Sequence, residues 1–156
     1  MEKLYKTTIE PMISYSLESW YPSQITLQNK IERVKKFAAK LVTNNFTTAY
    51  KTLLEKLNWK PLSQLAMEKR LQLAHHHVHG ARSIPDGAFA LRTFRTSSRL
   101  GHQWQLQVPL AQNTSIAESP VNTIRKLWNE LPGDLAAIKN FPEFKRNLAA
   151  ALSTKL

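Results

Sequence analysis

Ser119-Pro120-Val121-Asn122-Thr123-Ile124-Arg125-Lys126-Leu127-Trp128-Asn129-Glu130-Leu131-Pro132 is a short amphipathic helix with a proline at each boundary. Pro120 suits a first-turn position, where its missing N–H costs nothing, and Pro132 stops the helix soon after Leu131. Ile124, Leu127, Trp128 and Leu131 recur at helical spacing and form one apolar face. Arg125, Lys126, Asn129 and Glu130 are expected to stay in water.

The same periodicity runs through the rest of the chain and predicts a mainly α protein. A first helix covers about residues 2–20, bent near Pro11, and Ser23 is expected to cap the next. That second helix, residues 24–43, carries Leu27, Ile31, Val34, Ala38 and Leu41 as an apolar stripe and ends at Asn44-Asn45. A shorter helix follows from Ala49 to Leu57. Pro61 opens a longer one that Gly80 closes. From Ala81 to Ala117 the helical period disappears and alternation replaces it, in Phe89–Thr96 and in Trp104–Pro109. This stretch is either two short strands of a β-hairpin or an extended, irregular arm. Helix returns after Ser119, with a last segment from Pro142 to Leu152. The expected organisation is a helical, bundle-like domain over 1–80, an extended basic connector over 81–117 and a small C-terminal helical segment over 118–156.

With 156 residues, 42% of them hydrophobic, the chain has material for a core. It has no cysteine, which excludes disulfides and thiolate zinc sites. No run is long enough to span a membrane, and Glu2, Lys3, Lys6 and Glu10 interrupt any signal-peptide core, so an intracellular protein, nuclear or cytoplasmic, is expected. The formal charge of +11 favours polyanionic partners.

Two groups of cations are candidates for nucleic-acid contact. On the second helix Arg33, Lys36 and Lys40 fall within about 60° of one another, with Lys30 at the edge of the stripe. Arg92, Arg95 and Arg99 lie in a stretch without acidic residues, interleaved with Phe89, Phe94 and Trp104. Arginine forks suit phosphates, and Trp104, between two glutamines, is a candidate stacking surface. Trp20, Trp59 and Trp128 read as core anchors. His75 and His79 stand one turn apart, but no neighbouring carboxylate or thiolate completes a zinc set, so no metal or other cofactor is expected.

The order of residues in Ser119–Pro132 resembles the P-x-T-I-R-x-W-N-x-L-P signature near the C-terminal end of reverse transcriptases of LINE-type (non-LTR) retrotransposons. One extra residue precedes Thr123 and another precedes Trp128, so the match is in order and not in strict spacing. Leu4-Tyr5-Lys6 through Ile9, Pro11 and Tyr15 to Trp20 is similar to that family's segment following the polymerase palm. Ile31-Glu32-Arg33-Val34-Lys35-Lys36-Phe37 is similar to a basic helix of the family. Arg70-Leu71, His79-Gly80, Gln107-Val108-Pro109 and Phe144-Lys145-Arg146-Asn147-Leu148 follow in the family's order.

The resemblance implies the thumb and post-thumb part of an RNA-directed DNA polymerase. Its implied partner is a template–primer duplex of RNA or DNA, held without sequence preference, beside a palm domain upstream in a longer protein. Polymerases of this family hold two metal ions on an adjacent pair of aspartates. Here the only aspartates, Asp86 and Asp134, are far apart, so no catalysis is expected of this chain alone. The other reading of the same residues is an independent helical interaction module, or a relic of a mobile element without activity.

Overall fold

The computed structural model of the chain describes residues 1–80, 88–93 and 101–155, without the side chains of 153–155. It is mainly α, as the periodicity predicts. The elements in order are α1 (Glu2–Leu4), a π-helical turn (Tyr5–Ile9), α2 (Glu10–Ser14), α3 (Leu17–Trp20), α4 (Ile25–Thr43), α5 (Tyr50–Leu57) and α6 (Leu62–Val78), followed by α7 (Thr114–Ala117), α8 (Pro120–Asn129), α9 (Gly133–Ala136) and α10 (Phe141–Lys155). Two compact units, Met1–Ala66 and Met67–Leu156, divide the chain inside α6. The expected limits at 80/81 and 117/118 do not coincide with that division. The physical reason is that connector residues Phe89 and Leu106 are buried in the same core as Leu71, Ile124 and Phe144.

In the first unit, Pro11 sets the course of the N-terminal helix. It offers no N–H and its ring crowds the preceding turn, and the wide π turn just before it absorbs the misfit. The helix breaks at Tyr15, which is extended, and Ser16, at φ 47°. Trp20 closes this break by donating its Nε1–H to the Tyr15 carbonyl at 2.7 Å. Its ring stays 43% exposed, so Trp20 is not the core anchor expected of it. Gln24, not Ser23, is the N-cap of α4, without a side-chain bond; Gln28 Nε2 instead donates to the Pro22 carbonyl at 2.9 Å. Asn44 and Asn58 end α4 and α5 in the left-handed region.

The larger departure is the face that α4 buries. Lys35 and Ala39 are its buried residues, Ile31 and Ala38 are half-buried, and Leu27, Val34 and Leu41 are exposed. The helix is rotated about a quarter-turn from the orientation its apolar stripe predicts. Polar partners explain the rotation. Lys35 Nζ pairs with Glu10 at 3.2 Å and lies 5.8 Å from the centre of the Trp59 ring, which stacks on Tyr5 at 4.4 Å. Glu32 accepts the Tyr50 hydroxyl at 2.5 Å and the Leu62 N–H at 3.1 Å. A buried charge is tolerable only with partners, and this inner face supplies them. Burial, with Glu32 as acceptor, pushes the Tyr50 hydroxyl far above its ordinary range and keeps it a donor.

The second unit has one core, with Trp128 and Phe144 fully enclosed. Helix α8 behaves as predicted on its apolar side: Ser119 Oγ accepts the Asn122 N–H at 3.4 Å, and Ile124 and Trp128 point inward. On its supposedly wet side Lys126 and Glu130 are exposed as expected, but Arg125 and Asn129 are drawn inward. Arg125 is buried, donating Nη1 to Asn122 Oδ1 at 2.6 Å and Nε to the Ala88 carbonyl at 2.8 Å. Asn129 Oδ1 accepts the Leu106 N–H at 2.7 Å while its Nδ2 donates to the Leu106 carbonyl at 2.8 Å. Trp128 Nε1 donates to the Trp104 carbonyl at 2.8 Å. Three side chains of one helix therefore hold three points of connector backbone. The alternation in that connector resolves, among the described residues, into a single antiparallel bridge between Leu91 and Leu106 and not into strands. Arg92 N–H donates to Gln105 and Gln107 N–H to Ala90, both at 2.8 Å.

Candidate nucleic-acid interface

Helix α4 carries five cations, and their fates differ. Lys35 is inside the unit, paired with Glu10. Lys40 is half-buried and donates Nζ to the Phe46 carbonyl at 3.0 Å, which ties down the turn after the helix. Lys30, Arg33 and Lys36 are exposed, and none of the three has an ion pair or hydrogen bond among the described residues. They succeed one another every three residues, so they wind along one side of the helix over a rise of about 9 Å. Glu32, the acidic residue within α4, accepts from the Tyr50 hydroxyl and the Leu62 N–H, and forms no ion pair with these three among the described residues. The arrangement offers three unpaired positive charges on a rigid rod, suited to anionic oxygens.

Arg92 belongs to the second unit. It is exposed, and Nη1 donates to Gln105 Oε1 at 3.1 Å, which leaves part of its fork available. Beside it lies an open recess of about 270 Å³ lined by Arg92, Thr93, Leu106, Gln107, Val108 and Asn129. Arg95 and Arg99 lie outside the described residues. Trp104 is half-buried and packs against the core, its ring centre 5.1 Å from that of His79, so the indole is not presented outward as a stacking surface.

The histidines are structural ties. His75 Nε2 lies 2.7 Å from the Ile138 carbonyl, His79 Nε2 3.0 Å from that of Ala136, His77 Nε2 3.0 Å from that of Phe89, and His102 Nε2 3.1 Å from that of Trp128. Each bond makes Nε2 the protonated nitrogen, the one with the proton to donate. Nε2 of His75 and of His79 is thus engaged with backbone, and no metal-binding group of three or more acidic, histidine or cysteine residues occurs among the described residues. Burial lowers the pKa of His75 against the opposing pull of the Ile138 carbonyl, with His79 and His76 adding to the lowering. Asp134 sits exposed in the first turn of α9, and Asp86 lies outside the described residues.

Two determinants escape a reading by periodicity: Lys35 on the inner face of α4 and Arg125 at the flank of α8. The available signal for Arg125 is position alone, beside Ile124 and one turn after Val121. No helix is long and apolar enough to cross a membrane among the described residues. The chain matches no family model, no curated protein and no solved structure in comparisons with all three.

Proposed function

We propose that this chain is a nucleic-acid-binding accessory segment, the thumb and post-thumb part of a LINE-type reverse transcriptase whose palm lies upstream in a longer protein. The observation that carries the proposal is the unpaired row Lys30, Arg33 and Lys36 on α4. Cations aligned on a helix reach phosphates and release counter-ions, a contact that reads no bases. The order of motifs supports the family, and Arg92 supplies a further cation in the second unit. The chain acts as a clamp and carries no nucleotide transfer of its own.

Fluorescence anisotropy with duplex and RNA–DNA hybrid oligonucleotides across salt concentrations tests this. Three neutralised phosphates give a log–log slope of about −2.7 on B-form DNA. Replacing Lys30, Arg33 and Lys36 by alanine is expected to flatten the slope and weaken binding equally for unrelated sequences. Replacing exposed Lys51, Lys56 and Lys145 is expected to do much less. Equal losses from the two triple variants defeat the proposal. No nucleotide incorporation on a primed template is expected with magnesium or manganese.

The second reading, an interaction module, is favoured by one observation: the apolar residues left exposed on α4.

A further inference from the structure

Leu27, Val34 and Leu41 follow one another at intervals of seven, and Lys30 and Phe37 fall three residues after the first two. That is the spacing of a coiled-coil seam, with Leu27, Val34 and Leu41 at one core position and Lys30 and Phe37 at the other. The four apolar members are 40%, 50%, 41% and 58% exposed for Leu27, Val34, Leu41 and Phe37 in turn. The seam runs about 21 Å along the helix. We infer that it docks an amphipathic α-helix of a partner, one carrying aliphatic side chains on a stripe and glutamates or aspartates along its flank.

The width of the seam argues for a helix. Its five residues span about 80° of arc, less than the 100° face that beds on a broad apolar surface and close to the width of a two-helix seam. Charge then selects the partner. Lys30 sits inside the seam and Arg33 borders it, both unpaired among the described residues. A carboxylate-flanked helix neutralises both. A second copy of this chain does not: parallel pairing sets Lys30 against Lys30, antiparallel pairing brings Arg33 towards Lys40, and each chain carries +11. Like charges facing across a seam set partner choice by exclusion. The inference does not rest on the nucleic-acid proposal, although the two share Lys30 and Arg33.

The full chain is titrated with a 21-residue peptide bearing leucine at the two seam positions and glutamate at the flanks, which repels its own kind. Saturable one-to-one binding is expected, weakened about tenfold or more by the combined Val34→Ser and Phe37→Ser replacement. Both residues are exposed, so the helical content of the variant is expected to be unchanged. Lys30→Glu with Arg33→Glu is expected to lose the glutamate peptide and gain a lysine-flanked one. Equal binding of both peptides by the wild-type chain overturns the inference, as does binding indifferent to V34S/F37S. So does uptake by phosphatidylserine vesicles, or a concentration-dependent dimer in sedimentation, that V34S/F37S abolishes. Because V34S/F37S leaves Lys30, Arg33 and Lys36 in place, nucleic-acid titration of the same variant separates failure of one reading from failure of the other.

Discussion

The two units bury different things. In Met67–Leu156 seven buried or half-buried side chains reach backbone: His75, His77, His79, His102, Arg125, Trp128 and Asn129 each meet a main-chain carbonyl. In Met1–Ala66 the inner polar contacts include pairs between side chains, Lys35 with Glu10 and Tyr50 with Glu32. The outer surfaces differ as well. Twelve of the seventeen large apolar side chains exposed among the described residues lie between Met1 and Phe46. Apolar area left in water gives no stabilisation, so the first unit is expected to be the weaker of the two. A unit closed around its own backbone is self-sufficient, whereas one that keeps apolar seams in water has surface to offer a partner.

The largest effect is expected from Trp128→Ala, which empties the centre of the second unit. A loss of about 3–5 kcal/mol is expected in denaturant unfolding, and a loss below 1 kcal/mol breaks the comparison. Lys35→Ala removes a fully buried stem and leaves Glu10 unpaired, but that carboxylate is 29% exposed and water takes up part of the loss. A cost of about 2 kcal/mol is expected, confined to the first unit, with Lys35→Met costing clearly less because it keeps the stem.

Asn129→Ala strips both bonds from the Leu106 backbone, at about 1–2 kcal/mol. Amide hydrogen exchange at Leu106 is expected to accelerate ahead of exchange in α4. Smaller still is an acid effect from His75. Its folded pKa is depressed below the ordinary 6.5, so protons bind the unfolded chain preferentially. Its contribution is intact above about pH 6.5 and is lost as the pH falls from there through the folded pKa. Urea unfolding at stepped pH is expected to show this slope in the second unit, and His75→Phe to flatten it. An unchanged slope in that variant removes His75 as the cause. Phe37→Ser, on the open seam, is expected to change stability by no more than about 0.5 kcal/mol.

Helix positions were legible because capping and period are local properties. Asn44, Gly80 and Pro120 each act as read, since a left-handed C-cap or a first-turn proline depends on nearby backbone alone. Orientation was less legible. The stripe on α4 points to one face, and the helix buries another because Glu10, Tyr50, Trp59 and Leu62, distant in sequence, supply partners to Lys35 and Glu32. Arg125 fails for the same reason, since its acceptor at Ala88 lies thirty-seven residues away. Of the candidate contacts, Lys30, Arg33 and Lys36 stand together on one helix. Lys40 is drawn off by the Phe46 carbonyl and Trp104 by the core, losses that a helical wheel does not encode.

The ties from α6 also set a clock. His75 waits for a carbonyl 63 residues further along the chain, and His79 for one 57 residues further. At synthesis rates of about 5–20 residues per second, the inner side of α6 stands uncovered for about 3–13 s after it is made. All of residues 1–66 precede it, so the open-seamed unit is complete while the closed one is still half a core. During that interval Leu71 and Ala74, both buried in the finished fold, face water.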